Sequence, residues 1–207
     1  FNQATMASFL SEAYFLRALS YFYIVRSFGE VPLILEPYMD DQQAYELPKS
    51  SKAQLFEQII QDLTVAATNG KEIWPTVWET KGRSTKWAIQ ALLADVYLWL
   101  GKYDEAIISC NAILQSAKYG LIQGTVNNKN NWFSIFNPGN SNEGIFEVQF
   151  DYTKSQTNKL MEIFGSNYNW IISNYCVSLF MENAEDIRGA GASYEANTFK
   201  LWKYLGA

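Results

Sequence analysis

Apolar residues recur with a helical period through the first third of the chain. From Phe9 to Phe28, the residues Phe15, Leu19, Phe22 and Val25 fall three or four apart with Arg17 and Arg26 between them, which predicts a helix. Gly29 supplies its left-handed stop. Pro32, Pro37 and Pro48 then punctuate the stretch from Gly29 to Ser50, so it reads as a long insertion loop, the kind of segment that often carries function. Ser51 with Gln54 has capping-box spacing, and Leu55, Ile59, Leu63 and Ala66 follow on one face until Asn69-Gly70 closes the helix. A second loop, 70–83, contains Trp74, Pro75, Trp78 and Gly82.

After Thr85 the chain reads KWAIQALLADVYLWLGKYDEAIISCNAIL. Leu93, Ala94, Tyr97, Gly101, Tyr103, Ala106 and Cys110 have the spacing of a tetratricopeptide repeat. Ala94 and Ala106 are small where two helices cross, Tyr97 fills the adjoining space, and Gly101 permits the turn between them. Ala18 and Tyr21 repeat the three-residue interval of Ala94 and Tyr97, so residues 9–68 read as a second repeat with an expanded turn. Two pairs are fewer than a free-standing solenoid needs, which places the missing partners in the second half or outside this chain.

The second half breaks the pattern. Residues 120–142 are rich in Asn, Gly and Ser around Trp132, Phe133 and Phe136 and read as irregular. From Glu143 to Asp151, alternation of Ile145, Glu147 and Gln149 with Phe146, Val148 and Phe150 predicts a strand. A short helix is expected over Ser178–Ile187 and a strand over Thr198–Tyr204. The expected division is a tetratricopeptide-like scaffold with insertion loops at 1–119 and an irregular region with short strands at 120–207, both parts of one domain. The fold class is mainly α.

Composition removes several functions. With 16 Lys+Arg against 21 Asp+Glu, the net charge of −5 provides no basic footprint for nucleic acid. The absence of histidine excludes Ser-His-Asp and Cys-His catalysis and histidine-ligated zinc. Cys110 and Cys176 lie too far apart for a CxxC motif; they either pair in an oxidising compartment or stay buried as small hydrophobes. The uncharged run Ile163–Met181 carries too many Ser and Asn to span a bilayer. The chain opens on Phe1 inside helical text and is expected to be an internal piece of a longer polypeptide.

Several ordered strings resemble one family. The segment AYFLRALSYFYIVRSFGEVPLI from Ala13 to Ile34, then Asp62-Leu63, Gly82-Arg83-Ser84-Thr85-Lys86, Ala91 to Tyr97 and Gly101-Lys102-Tyr103, are similar in order and content to SusD/RagB-type nutrient-binding outer-membrane lipoproteins. So are Asn142-Glu143 before Phe146 to Phe150, and Asp186-x-Arg188 with Lys203-Tyr204. The resemblance implies a SusD-like fold and a surface-exposed lipoprotein of the outer membrane of a Bacteroidota-type cell. The lipid anchor it implies is expected outside this chain. It further implies a hinged lid over a SusC-like TonB-dependent barrel transporter, presenting a polysaccharide, oligosaccharide or peptide. Tyr14, Tyr21, Tyr23 and Trp99 are expected on the transporter side, and Arg83 is expected to order its loop or pair with a carboxylate.

The family binds its ligands without turning them over. Asp40 with Asp41, Glu143 with Glu147, and Glu182 with Glu185 and Asp186 read as solvated carboxylates rather than a glycosidase pair, so no catalytic residue, metal or cofactor is assigned. Sugar rings need flat apolar platforms, and the loop aromatics Tyr38, Tyr45, Trp74, Trp78, Trp132, Tyr168 and Trp170 are the candidates. One platform supplies about 0.5–1.5 kcal/mol, short of the about 4 kcal/mol of millimolar binding; two or three act together. Trp87 and Trp99, within repeat helices, are expected to pack. The competing reading is a tetratricopeptide adaptor for a protein partner, which would more often show Lys, Arg and Asn along its groove helices.

Overall fold

A computed structural model describes residues 2–40, 42, 44, 46–126, 129–136, 138–156 and 170–201. The chain forms two compact units, Phe1–Ser116 and Ala117–Ala207.

The regular elements described in the first unit are helices. Helix α1 spans Gln3–Phe28, α2 Lys52–Asn69, α3 Val77–Gly82, α4 Lys86–Trp99 and α5 Tyr103–Gln115. Helix α1 begins six residues before the position predicted from periodicity. Asn2 caps it by accepting the Thr5 N–H at 2.8 Å. The buried stripe then starts with the polar pair Ser8 and Ser11, which hides the period from an apolar count, and continues through Phe15, Ala18, Phe22 and Val25. Gly29, at φ +76°, ends the helix where Gly was expected to.

Three links between α1 and α2 run in opposite sequence order and make the pair antiparallel. Ser11 Oγ donates to the Ala66 carbonyl, Arg17 meets Asp62, and the Phe22 ring meets Phe56 edge-on at 6.3 Å. Helix α2 opens on the predicted capping box: Ser51 N–H donates to Gln54 Oε1 at 2.9 Å, and Gln54 N–H donates to Ser51 Oγ. Helix α2 packs on α4, and α4 on α5. The α4–α5 turn holds Gly101 at φ +70°, which a Cβ would strain. Phe15, Phe22, Leu55, Ile59, Leu63, Ile89 and Val96 form the core between these helices. Each such side chain, fully buried, contributes roughly 1.5–3 kcal/mol.

The second unit has little regular structure among the described residues. Strands β1 (Thr125–Val126) and β2 (Lys129–Asn130) pair antiparallel, with Thr125 opposite Asn130. A 3₁₀ turn covers Trp132–Ile135, another covers Tyr152–Lys154, and α6 spans Asn174–Met181. The expected helix at Ser178–Ile187 is therefore shifted toward the N-terminus. Ser173 Oγ caps it by accepting the Cys176 N–H, and the Asn183 side chain then accepts the Glu185 N–H in a turn that ends helical geometry.

The expected strand from Glu143 to Asp151 forms no ladder among the described residues. Its alternation is real but is used the other way round. Glu147 accepts the Asn140 N–H at 2.9 Å, and Gln149 donates to Asn140 Oδ1 at 2.8 Å, so the polar side packs against the preceding loop. Val148 and Phe150 are exposed. Of the expected strand Thr198–Tyr204, Lys200 and Leu201 make isolated bridges to Ile171 and Tyr194, Phe199 turns at φ +58°, and residues 202–204 lie outside the described ones.

Candidate functional site

In the first unit, the loops that carry Tyr38 and Trp74 are anchored by side chains of α1. Residues 70–85 are held by Trp74, which is 6% exposed rather than an open platform. Its Nε1–H donates to the Ser84 carbonyl at 2.9 Å, and the Arg83 guanidinium lies 3.4 Å from its ring centroid, with Lys71 Nζ at 4.1 Å. Arg83 in turn makes a two-pronged ion pair with Glu12 of α1, at 3.0 and 2.5 Å. The arginine thus orders its loop through a carboxylate. Trp74 works as the plug of that loop, and its ring is occupied by cations.

Trp78 sits at the second position of α3 and is 44% exposed. The helix is short, yet its start is fixed: Thr76 and Glu79 form a capping box, and Thr80 Oγ1 accepts the Trp74 N–H and donates back to the Trp74 carbonyl. Trp78 therefore projects from a rigid mount. Tyr38, 39% exposed, lies in the α1–α2 connection, and its hydroxyl donates to the Ala44 carbonyl at 3.1 Å. Tyr45 and Tyr168 lie outside the described residues.

In the second unit, Trp132 is half-buried and meets Phe136 edge-on, ring centroids 4.9 Å apart. Trp170 is exposed just before the Ile171 bridge. Tyr194 stacks on Phe199 at 6.0 Å and lies 6.1 Å from Phe180, forming a small apolar centre in this unit.

Trp87 packs in the core, its Nε1 buried without a hydrogen-bond partner. Trp99 does not: it is about half exposed and carries the Arg26 guanidinium at 4.6 Å, itself over Phe22 at 4.8 Å. Both cysteines are unpaired, and Cys110 is exposed at the groove between α4 and α5, neither paired nor buried. Among the tyrosines expected toward a partner, Tyr23 is exposed, whereas Tyr21 turns its hydroxyl to the backbone of Ile34 and Tyr14 lies under Arg17 at 5.2 Å.

The structure gives roles to charged residues that the sequence offered only as parts of family-like strings. Asp62 stands 1% exposed on the apolar face of α2 and receives Arg17 through Nε and Nη2, both at 2.7 Å, and Gln58 Nε2 at 2.7 Å. This pairing raises the Arg17 pKa above its ordinary value, the hydrogen bond to Asp62 being the main cause. A carboxylate in register with Ile59, Leu63 and Ala66 was the available signal. In the second unit, Arg188 donates twice to Asp186, at 2.8 and 2.7 Å, and pulls that carboxyl down to about 2. Among the described residues no cluster of Cys, Asp and Glu is arranged to hold a metal, and no helix is long and apolar enough to cross a membrane.

A mainly helical scaffold of paired, tetratricopeptide-like helices that mounts aromatic-bearing loops is the class of protein this architecture defines. A family model described as SusD-like, starch-binding and associating with the outer membrane, matches residues 2–98. A SusD-like protein of Formosa agariphila is 22% identical over 95% of this chain and 38% of its own length. A laminarin-binding SusD-like protein of known structure is 30% identical, with a TM-score of 0.55 over 64% of this chain and 30% of that one. A SusD superfamily structure from Bacteroides thetaiotaomicron superimposes with a TM-score of 0.75 over 90% of this chain and 43% of that one, at 22% identity. The family model over residues 2–98, these relatives and these solved structures are all SusD-like, and the chain is similar to them over most of its length. It spans little more than a third of the length of the first curated relatives it matches.

Proposed function

We propose that the protein built on this chain is a non-enzymatic glycan-binding subunit of an outer-membrane nutrient importer, a lipid-anchored surface protein seated as a hinged lid over a SusC-like TonB-dependent barrel. The observation that carries the reading is the placement of exposed aromatic rings outside the helical core: Tyr38 and Trp78 in the first unit and Trp170 in the second, with the half-buried Trp132 also in the second. The similarity to a laminarin-binding protein at 30% identity supports a glycan as ligand, and oligopeptide is the less favoured class. Rings of this kind offer an apolar face to the C–H side of a sugar, and neighbouring amides and carboxylates offer partners to its hydroxyls. Tyr45 and Tyr168 belong to the same proposal from sequence alone.

One feature keeps the adaptor reading as the alternative. A groove of about 440 Å³ between α4 and α5, lined mainly by Ala94, Leu98, Tyr103, Ala106 and Ile107, has the apolar character that the apolar face of a helical peptide fits, without the Lys and Arg expected of an adaptor groove. Electrophoresis of the intact protein through gels containing laminarin, starch or xyloglucan separates the two. Retardation by at least one polysaccharide, without release of shorter products, is expected. Retention of helical peptides with no response to any glycan would support the adaptor instead. Purification from outer membranes in mild detergent is expected to bring a barrel of TonB-dependent type with it.

A further inference from the structure

The connection from α1 to α2 is tied down by side chains for which helix packing alone has no use. Its two ends meet in a single bridge, the Ser50 N–H donating to the Val31 carbonyl at 3.0 Å. Next to that bridge, the Tyr21 hydroxyl accepts the Ile34 N–H at 2.7 Å and donates to the Ile34 carbonyl at 3.2 Å. One turn earlier on the same face of α1, the third nitrogen of Arg17, Nη1, donates to the Leu35 carbonyl at 3.0 Å.

Arg17 reaches that carbonyl only because Asp62 holds its other edge. The carboxylate is buried on α2 and takes both Nε and Nη2, which fixes the plane of the guanidinium. If helix packing were the whole purpose, an apolar pair would serve as well as Leu55, Ile59 and Leu63 do nearby, since replacing a buried ion pair by hydrophobic residues is often neutral or stabilising. An apolar pair has no donor for Leu35. Three residues beyond that anchor stands Tyr38, its hydroxyl bonded within the loop and its ring 39% exposed.

We infer that Arg17, oriented by Asp62, and Tyr21 are positioning residues that hold the loop at Ile34 and Leu35 so that the Tyr38 ring is presented to a sugar in a fixed place. The inference rests on the glycan-binding reading above. Holding the ring before the ligand arrives removes an ordering cost from binding, so loss of the anchors weakens affinity without removing any ligand contact.

The test uses the intact protein, laminarin oligosaccharides and three changes: Tyr21→Phe, Tyr38→Ala and the apolar exchange Arg17→Met with Asp62→Leu, which keeps the helix pair packed. Calorimetric titration is expected to give about tenfold weaker binding for Tyr38→Ala and about threefold or more for each anchor variant. Because the anchors act through Tyr38, adding Tyr21→Phe to Tyr38→Ala is expected to cost nothing further. Hydrogen exchange at the Ile34 amide, which loses its acceptor in Tyr21→Phe, is expected to quicken by about tenfold or more while α2 amides stay protected. Independent, additive losses of affinity, anchor variants that bind as the wild type does, or an Ile34 amide that exchanges unchanged would each overturn the inference. A wild type that binds no oligosaccharide defeats the glycan reading, and the exchange result at Ile34 then decides the anchoring on its own.

Discussion

In the helical unit, Phe22, Leu55, Ile59 and Leu63 are at most 1% exposed, whereas the described apolar side chains that close over in the second unit are Ala192 and Tyr194. There, Val148 and Phe150 face outward and the contacts that shape the chain are polar: Glu147 with Asn140, Gln149 with Asn140, Arg188 with Asp186. Among the described residues, the first unit is thus held by buried area and the second largely by directional bonds. Loops anchored to the first kind of frame keep an aromatic ring in place; a polar frame of the second kind can be rearranged at lower cost.

The largest expected effect comes from the helical core. Phe22→Ala removes a ring that touches Phe56 and Trp99 and is expected to lower stability by about 3–5 kcal/mol, read from the urea midpoint. An equal effect from Phe180→Ala would erase the contrast between the units. Next in size is Asp62→Ala. Since Arg17 retains some solvent access, the loss is expected to be about 2 kcal/mol rather than the full value of a sealed pair. Glycan binding is expected to weaken with it.

A smaller effect is expected within the second unit. A Cβ at Gly144 would lie 2.1 Å from Glu147 Oε1, so Gly144→Ala must displace the carboxylate that accepts the Asn140 N–H, for about 1 kcal/mol. Faster amide exchange at Asn140, with the α1–α2 amides unchanged, is the reading expected. The smallest effect is a titration. Asp186, lowered to about 2 by the Arg188 hydrogen bonds, contributes stability that is present above the ordinary carboxylate range and is lost as pH falls through 2. Its carboxyl carbon shift is expected to titrate near 2, and Arg188→Ala is expected to raise it toward the ordinary carboxylate value while the backbone N–H at position 188 still holds it partly down.

Helical elements were legible in the sequence because period, cap and stop agreed. Ser51 with Gln54, and Gly29 and Gly101, stand where the residues placed them. The start of α1 was not, because Ser8 and Ser11 fill core positions with polar groups. The stretch Glu143–Asp151 misled for the opposite reason: its alternation is genuine, but Asn140 gave the polar side a partner, and no strand among the described residues pairs with it. Among the candidate platforms, exposure could not be read from residue type, so Trp74 and Trp78, four residues apart, divide into a plug and a projecting ring. The Arg17–Asp62 anchor was visible only as a carboxylate on an apolar face, and its meaning came from the Leu35 carbonyl that the loop brings back to it.

The central claim is that recognition lies in loop aromatics mounted on a helical frame that does not itself touch ligand. Titration of the intact protein with laminarin oligosaccharides, comparing the wild type with the combined Tyr38→Ala and Trp78→Ala variant, tests it most directly. Affinity is expected to fall by about tenfold or more, while the urea midpoint stays within the range of ordinary surface changes, about 0.5 kcal/mol. Unchanged affinity in that variant, together with loss of binding when Leu98 and Ile107 in the α4–α5 groove are changed to Ser, would contradict the account.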